Sequence, residues 1–447
     1  MICNYSNKKI LIFGMGITGI SCINFFLSKG IFPKVMDTCK NPKYIKKILK
    51  FKNISYHIGS INYSWILEST LIIVSPGINS THPAITFALK NNIEIIGDIE
   101  LFLRETNTPI ISITGSNGKS SVTMMVNKII QKSRFRAYIG GNIGIPALSI
   151  LNKPADYFIL ELSSFQLEYI FNLKSYISTI LNITPDHMDR HHLGMEQYIK
   201  IKQKIYKYSK ICIINIDDPL SCNKKIKNKK YISFGLKKGD YHLDYQKNNT
   251  WICYKQQKLL NTKELKIFGQ HNYINVLSAL SIVHELKINL DDSLSVLKNF
   301  LGLPHRFQIV NKSNNILWIN DSKSTNVAST VSAINSIQKT TQSKIRLILG
   351  GDSKSANFTP LKNILTNKSI VIYCYGKCKK KIFNLHPHKS ICSDTLSEII
   401  YLIFKQVKPT DIVLLSPACS SLDQFSGFRE RGNTFTRLIK HLIKTQK

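Results

Sequence analysis

The chain reads as an α/β protein with parallel sheets in three domains, and three observations carry that reading. At 447 residues it exceeds what one hydrophobic core usually holds. Short apolar, β-branched runs alternate with longer helical patterns almost from end to end, the rhythm of βαβ units. Several runs lead straight into polar segments rich in glycine or serine, where open α/β sheets bind their ligands. Hydrophobic residues at 43% and charged residues at 20% place the chain among globular rather than disordered proteins.

In chain order, strands are expected at residues 10–13, 71–74, 110–114, 157–161, 177–182, 211–215, 346–349 and 412–416. Helices are expected at 120–131, 195–208, 272–286 and 428–442. Between about 231 and 268 the pattern changes to short, polar-alternating segments, which suggests a small antiparallel insertion. Breaks near Gly97 and Gly302 divide the chain into 1–97, 98–302 and 303–447.

Lysine and arginine total 61 against 27 acidic residues, a net charge of +34. That balance suits polyanions or phosphate-bearing ligands. The lysines are spread rather than clustered, so compositional drift with phosphate ligands is preferred and no nucleic acid is expected. The ten cysteines are scattered without the paired spacings of a zinc site, which points to reduced thiols. Lys8 and Lys9 before an apolar run resemble the start of a signal peptide, but Gly14, Gly16, Thr18, Gly19, Ser21 and Asn24 interrupt it. With no run of 18 apolar residues, a cytoplasmic protein without membrane insertion is expected.

The strongest motif is Thr114-Gly115-Ser116-Asn117-Gly118-Lys119-Ser120-Ser121, between an apolar strand and a helix. Glycines let backbone amides turn inward around a phosphate, and the helix start adds partial positive charge. The lysine meets the outer phosphates and a hydroxyl takes magnesium. The first glycine of the general pattern is replaced by Ile113, leaving a shorter G-x-x-G-K-S.

Gly14-Met15-Gly16-Ile17-Thr18-Gly19 follows the first strand, with Asp37 ending a later one. This is a phosphate and ribose pattern that fits a nucleotide or diphosphate, NAD less well, and packing glycines as the plain alternative. Ser75-Pro76-Gly77-Ile78 follows another strand and either lines the same ligand or is an ordinary turn. Glu161, at a strand's carboxyl end, suits a magnesium ligand or a helix cap. The loop from Asn182 through Asp186, His187 and Arg190 offers metal or substrate ligands. Three further loops, from Asn320 to Asn326, Leu349 to Lys354 and Ser416 to Asp423, form a second candidate site, where Lys354 suits an anion.

Taken in order, these motifs resemble the Mur ligases, and among them the branch that adds D-glutamate. The resemblance covers essentially the whole chain, including Gly269-Gln270-His271-Asn272 and Leu303-Pro304-His305-Arg306-Phe307. It implies a Rossmann-like UDP-sugar domain, a central P-loop ATPase-type domain and a C-terminal Rossmann-like domain for the amino acid. It also implies that ATP phosphorylates the carboxylate of UDP-N-acetylmuramoyl-L-alanine, and that D-glutamate attacks the acyl phosphate. The enzyme would act as a monomer with magnesium, two ions being expected.

By resemblance, Lys119, Asn142, His187 and Lys202 are catalytic. Ser120, Glu161, His187 and a carbamylated Lys202 hold metal. ATP falls to Gly115, Ser116, Asn117, Gly118, Lys119, Ser120, Ser121, Asn272, Asn275, Arg306, Asp321 and Lys323. The UDP end falls to Gly14, Thr18, Asp37, Thr38, Ser75 and Gly77, with Cys39 where related enzymes often carry arginine. D-Glutamate falls to Thr325, Lys354, Ser421, Leu422 and Phe428. The rivals are sibling ligases for other amino acids, folylpolyglutamate synthase, and a non-catalytic nucleotide- or polyanion-binding protein. Binding alone would not require Lys119, Glu161, His187, Lys202 and Lys354 together.

Overall fold

A computed structural model describes residues 4–188, 190–191, 193–222, 229–247, 249–338, 341–353 and 356–445. Three sheets organise it. The first contains β1 (Ile10–Phe13), β2 (Lys34–Asp37), β3 (Tyr56–Ile58), β4 (Leu71–Val74) and β5 (Glu94–Gly97). All pairings are parallel, in the order β3-β2-β1-β4-β5. The order reverses between β1 and β4, so the loops after these two strands flank the crevice where such sheets take a ligand.

The second sheet holds β6 (Ile110–Thr114), β7 (Ala137–Gly141), β8 (Tyr157–Glu161), β9 (Ile177–Ile180), β10 (Ile211–Asn215), β11 (Lys230–Phe234), β12 (Tyr241–Gln246), β13 (Asn249–Tyr254) and β14 (Gln257–Asn261). Its order is β14-β13-β12-β11-β10-β9-β6-β8-β7. β8 and β9 therefore lie on either side of β6, whose carboxyl end leads into the glycine loop. The expected antiparallel insertion is real at β12–β14, but these strands extend the main sheet, and β11 pairs parallel to β10. Polar alternation in this stretch marks an edge with one wet face, not a separate sheet.

The third sheet comprises β15 (Gln308–Ser313), β16 (Ile316–Asn320), β17 (Ile345–Gly350), β18 (Ile370–Tyr375), β19 (Ser390–Cys392) and β20 (Ile412–Leu415), in the order β15-β16-β20-β17-β18-β19. Only β15 runs antiparallel. Ile345, Leu347, Leu349, Ile412 and Leu414 enter one core, while Ile348, Val413 and Leu415 enter the other. Side chains alternate between the faces of a strand, and both faces here are covered, so β17 and β20 read as near-continuous apolar runs.

The chain forms two compact units. One contains the residues up to Ile183, with Arg190–Asn261 and Asn275–Leu297; the other contains a short segment beginning at Thr184, Thr262–Ile274 and the chain from Lys298 onward. Among the described residues no helix is long and apolar enough to cross a membrane, and the described cysteines are unbridged.

Candidate active site

The loop after β6 turns through two glycines that no other residue would replace easily. Gly115 and Gly118 have φ of +150° and +84°. A Cβ on Gly118 would fall 2.3 Å from Oδ1 of Asn275, so that side chain lies directly against the loop. The helix Lys119–Lys132 starts here, bringing its amino-terminal amides to the loop. Lys119 donates from Nζ to the carbonyls of Gly115 (2.6 Å) and Ser116 (2.9 Å).

Beside the loop lies the candidate metal site. Buried Glu161, at the end of β8, accepts from Ser120 Oγ at 2.6 Å and from Asn142 Nδ2 at 2.7 Å. The Asn142 amide also donates to the Glu161 carbonyl at 2.8 Å. Lys202, only 1% exposed, donates from Nζ to the Gly115 carbonyl (3.1 Å) and Thr114 Oγ1 (3.3 Å). A hydroxyl and a carboxylate thus meet at the ends of the adjacent strands β6 and β8, with the buried lysine on the other side of the glycine loop's first residue. The hydroxyl and carboxylate oxygens are donors of the kind that suit magnesium; the lysine adds an oxygen donor only as a carbamate.

Three further residues complete this region, two of them, Asn182 and Thr114, from segments that the sequence singles out. Asn182, just past β9, holds the loop through Ser116 N to its carbonyl (2.8 Å), Asn117 N to its Oδ1 (2.9 Å) and its Nδ2 to the Asn117 carbonyl (3.1 Å). Tyr198 OH lies 3.0 Å from Ser116 Oγ, and its ring lies 4.7 Å from Lys202 Nζ. Thr114 supplies one of the Lys202 acceptors. Tyr198 lies outside the motif segments but was findable, being one helical turn before Lys202; Asn182 stands out as the start of a candidate ligand loop, but its clamp on the glycine loop has no spacing signal. Ser121 is buried in the helix's first turn.

In the first sheet, Gly14 has φ +108°, and a Cβ there would lie 2.7 Å from the Ser75 side chain. Ser75 Oγ donates to the Gly14 carbonyl at 3.2 Å. The loops after β1 and β4 are thereby in contact, as a shared ligand requires. Asp37 accepts from Met15 N (2.7 Å) and Cys39 N (2.8 Å), so its carboxylate fastens the glycine loop to the end of β2. Thr18 lies in the first turn of the helix Ile17–Ser28, Thr38 follows β2, and Gly77 stands in the turn after β4.

The other unit carries the remaining candidates. β16, β20 and β17 are adjacent and parallel, so the loops after them share one sheet edge. Asp352 and Ser420 exchange backbone bonds of 2.9 and 2.8 Å between two of those loops. Asp321 is buried and accepts from Ser324 Oγ (2.5 Å), Ser416 Oγ (2.9 Å) and Phe307 N (3.0 Å). Burial dominates these bonds and the nearby Arg306 and raises its pKa to about 6. Lys323 Nζ lies 4.1 Å from the centre of the Phe428 ring. Thr325 N donates to the Lys323 carbonyl at 2.8 Å. Ser421 is buried, whereas Leu422 is 68% exposed. Asn272 Nδ2 caps the Phe268 carbonyl at 2.9 Å. His187, at φ +55°, faces Asp186 at 3.7 Å, and Asp186 also accepts from Asn326 Nδ2 at 3.3 Å. Lys354 lies outside the described residues.

Three family models match the chain. They are the N-terminal domain of MurD-like Mur ligases over residues 8–97, the Mur ligase middle domain over 113–283 and the Mur ligase glutamate ligase domain over 305–419. The UDP-N-acetylmuramoylalanine--D-glutamate ligase of Buchnera aphidicola subsp. Baizongia pistaciae is 68% identical over 443 residues, covering 99% of this chain and 100% of the relative. The enzyme of that name from Escherichia coli K12 is 44% identical over 441 residues, with the same coverage. Among solved structures, the UDP-N-acetylmuramate-alanine ligase MurC of Thermotoga maritima aligns with TM-score 0.62 at 18% identity, over 99% of this chain and 100% of that one. MurF ligase of Thermotoga maritima, in complex with ADP, aligns with TM-score 0.62 at 15% identity, over 100% and 98% of the two chains. At such identities these structures speak for the fold.

Proposed function

The chain belongs to the Mur ligase family and is an ATP-dependent ligase of peptidoglycan-precursor synthesis; we propose that it adds D-glutamate to UDP-N-acetylmuramoyl-L-alanine through an acyl phosphate. The observation that carries the residue assignment is the cluster at the end of β6 and β8, where Lys119, Ser120, Asn142, Glu161 and Lys202 surround one glycine loop. Full-length relatives named for D-glutamate support the choice of amino acid.

An oxygen of the alanyl carboxylate attacks the γ-phosphorus of ATP, the bond to the bridging oxygen breaks, and ADP leaves. The amine of D-glutamate then attacks the acyl carbon and loses a proton. Collapse of the tetrahedral adduct expels phosphate. Loop amides from Gly115 to Ser120 bind the phosphates, and Lys119 exchanges its two carbonyl partners for them. Asn142 and Glu161 form one hydrogen-bonded unit, so the amide is oriented before substrate arrives. Asn275, Arg306, Asp321, Lys323 and Asn272 hold the nucleotide. Thr325, Lys354, Ser421, Leu422 and Phe428 receive D-glutamate, whose two carboxylates suit a lysine and hydroxyls. Gly14, Thr18, Asp37, Thr38, Ser75 and Gly77 hold the UDP end.

Ser120, Glu161, His187 and Lys202 as a carbamate would hold magnesium, which when bound offsets charge on the phosphate oxygens. Carbamylation requires a neutral amine. A carbamate keeps one N–H for the Gly115 carbonyl. Lys202→Ala should lose most activity and regain part of it with added short carboxylates; failure of every carboxylate would count against the carbamate. The three domains divide near residues 98 and 303, and the enzyme works as a cytoplasmic monomer. Transfer of ¹⁸O from labelled substrate carboxylate into released phosphate tests the acyl phosphate, and unlabelled phosphate would refute it.

A further inference from the structure

Arg190 ends the loop that the sequence offers for metal or substrate ligands, but no ligand is assigned to it individually, and its surroundings are specific. Its side chain is 11% exposed. The guanidinium carbon sits 3.8 Å from the centre of the Phe165 ring, a close cation–π contact. Nη2 donates to the Ile78 carbonyl at 2.8 Å and lies 3.5 Å from Glu168 Oε2, itself in a side chain only 7% exposed.

The two anchor points are informative. Ile78 closes the turn Ser75-Pro76-Gly77-Ile78, in which Ile78 N donates to the Ser75 carbonyl at 3.0 Å. Phe165 and Glu168 belong to the short helix Ser164–Glu168, which starts three residues past Glu161 at the end of β8 and whose start is closed by a capping box between Ser163 and Gln166. Tyr169, next in the chain, also donates to the Ile78 carbonyl, at 3.4 Å. One guanidinium therefore spans from the turn beside Gly14 to the segment that begins at Glu161.

We propose that Arg190 is a positioning residue that fixes the Ser75–Ile78 turn against the Glu161 segment, setting the distance between the UDP end of the substrate and the carboxylate to be phosphorylated. The proposal rests on the functional reading above. A substrate spanning both places gains its full affinity only if the two are already in register, so loss of the brace weakens binding of the UDP substrate and not of ATP.

The test compares Arg190→Met and Arg190→Lys with the wild type. Arg190→Met should raise KM for UDP-N-acetylmuramoyl-L-alanine about tenfold, as loss of about 1.4 kcal/mol would, with KM for ATP unchanged within about twofold. Arg190→Lys, which keeps a donor for Ile78 but loses the planar stack, should fall between. Amide exchange at residues 77–79 should quicken in Arg190→Met without substrate present, while the β6 amides keep their protection. Unchanged exchange and KM would overturn the proposal. So would a parallel rise in both KM values with a lowered melting temperature, the mark of general destabilisation. Absence of any calorimetric binding of this substrate to the wild type would instead remove the functional reading, and this proposal with it.

Discussion

Lys119 shows how much of the chemistry is prepared within single residues. Its ammonium rests on the Gly115 and Ser116 carbonyls, neutral acceptors that arriving phosphate oxygens can outcompete. Lys119→Ala should leave the fold intact and lower phosphate release at least about 100-fold, measured with saturating substrates. Gly118→Ala should also impair ATP use, since the Cβ would meet Asn275 and φ is +84°. A pH effect arises at Asp98, fully buried with Oδ1 lacking a hydrogen-bond partner, where burial raises the pKa to about 7. Its protonated form is favoured in the folded state, so its contribution is full below the ordinary aspartate range and is lost as pH rises through about 7. Asp98→Asn should thus raise the melting temperature at pH 8 relative to the wild type, and much less at pH 5; an equal shift at both would contradict the assignment. Residues inside glycine or signature segments were legible in sequence. Asp98 was not, because nothing local distinguishes a buried aspartate from a helix-capping one.

Elements repeat the lesson in a different form. β1, β4, β6, β8 and β10 match their expected limits, because fully buried parallel strands are continuous apolar runs bounded by loop residues. The helices Lys119–Lys132 and Phe428–Thr445 begin within a residue of expectation. The 231–268 region was harder. β11 pairs parallel with β10 and β12–β14 add antiparallel strands to the same sheet, and short alternating segments do not disclose which edge they join. Loop-to-loop clamps were equally hidden, since they depend on strand order. The Asn182 clamp exists because β9 lies beside β6. Asn182→Ala removes two side-chain bonds from the glycine loop and should raise KM for ATP about tenfold, with a smaller change in KM for the UDP substrate. Equal effects on both would mean that Asn182 supports the sheet and not the loop.

At the scale of the whole molecule, the collinear order of motifs was the decisive signal, for no single loop specified the reaction. In each of the three sheets the candidate loops follow strand carboxyl ends, where open parallel sheets take their ligands. The +34 charge is carried by a chain whose relatives at 68% and 44% identity bear the names of a small-molecule ligase. The central claim is best tested by phosphate release from ATP in the presence of UDP-N-acetylmuramoyl-L-alanine, with D- and L-amino acids supplied one at a time. Release should depend on D-glutamate, with a product heavier than the UDP substrate by one glutamyl residue. Release driven by a different amino acid would contradict the assigned substrate, and no release with any of them would contradict the assigned reaction.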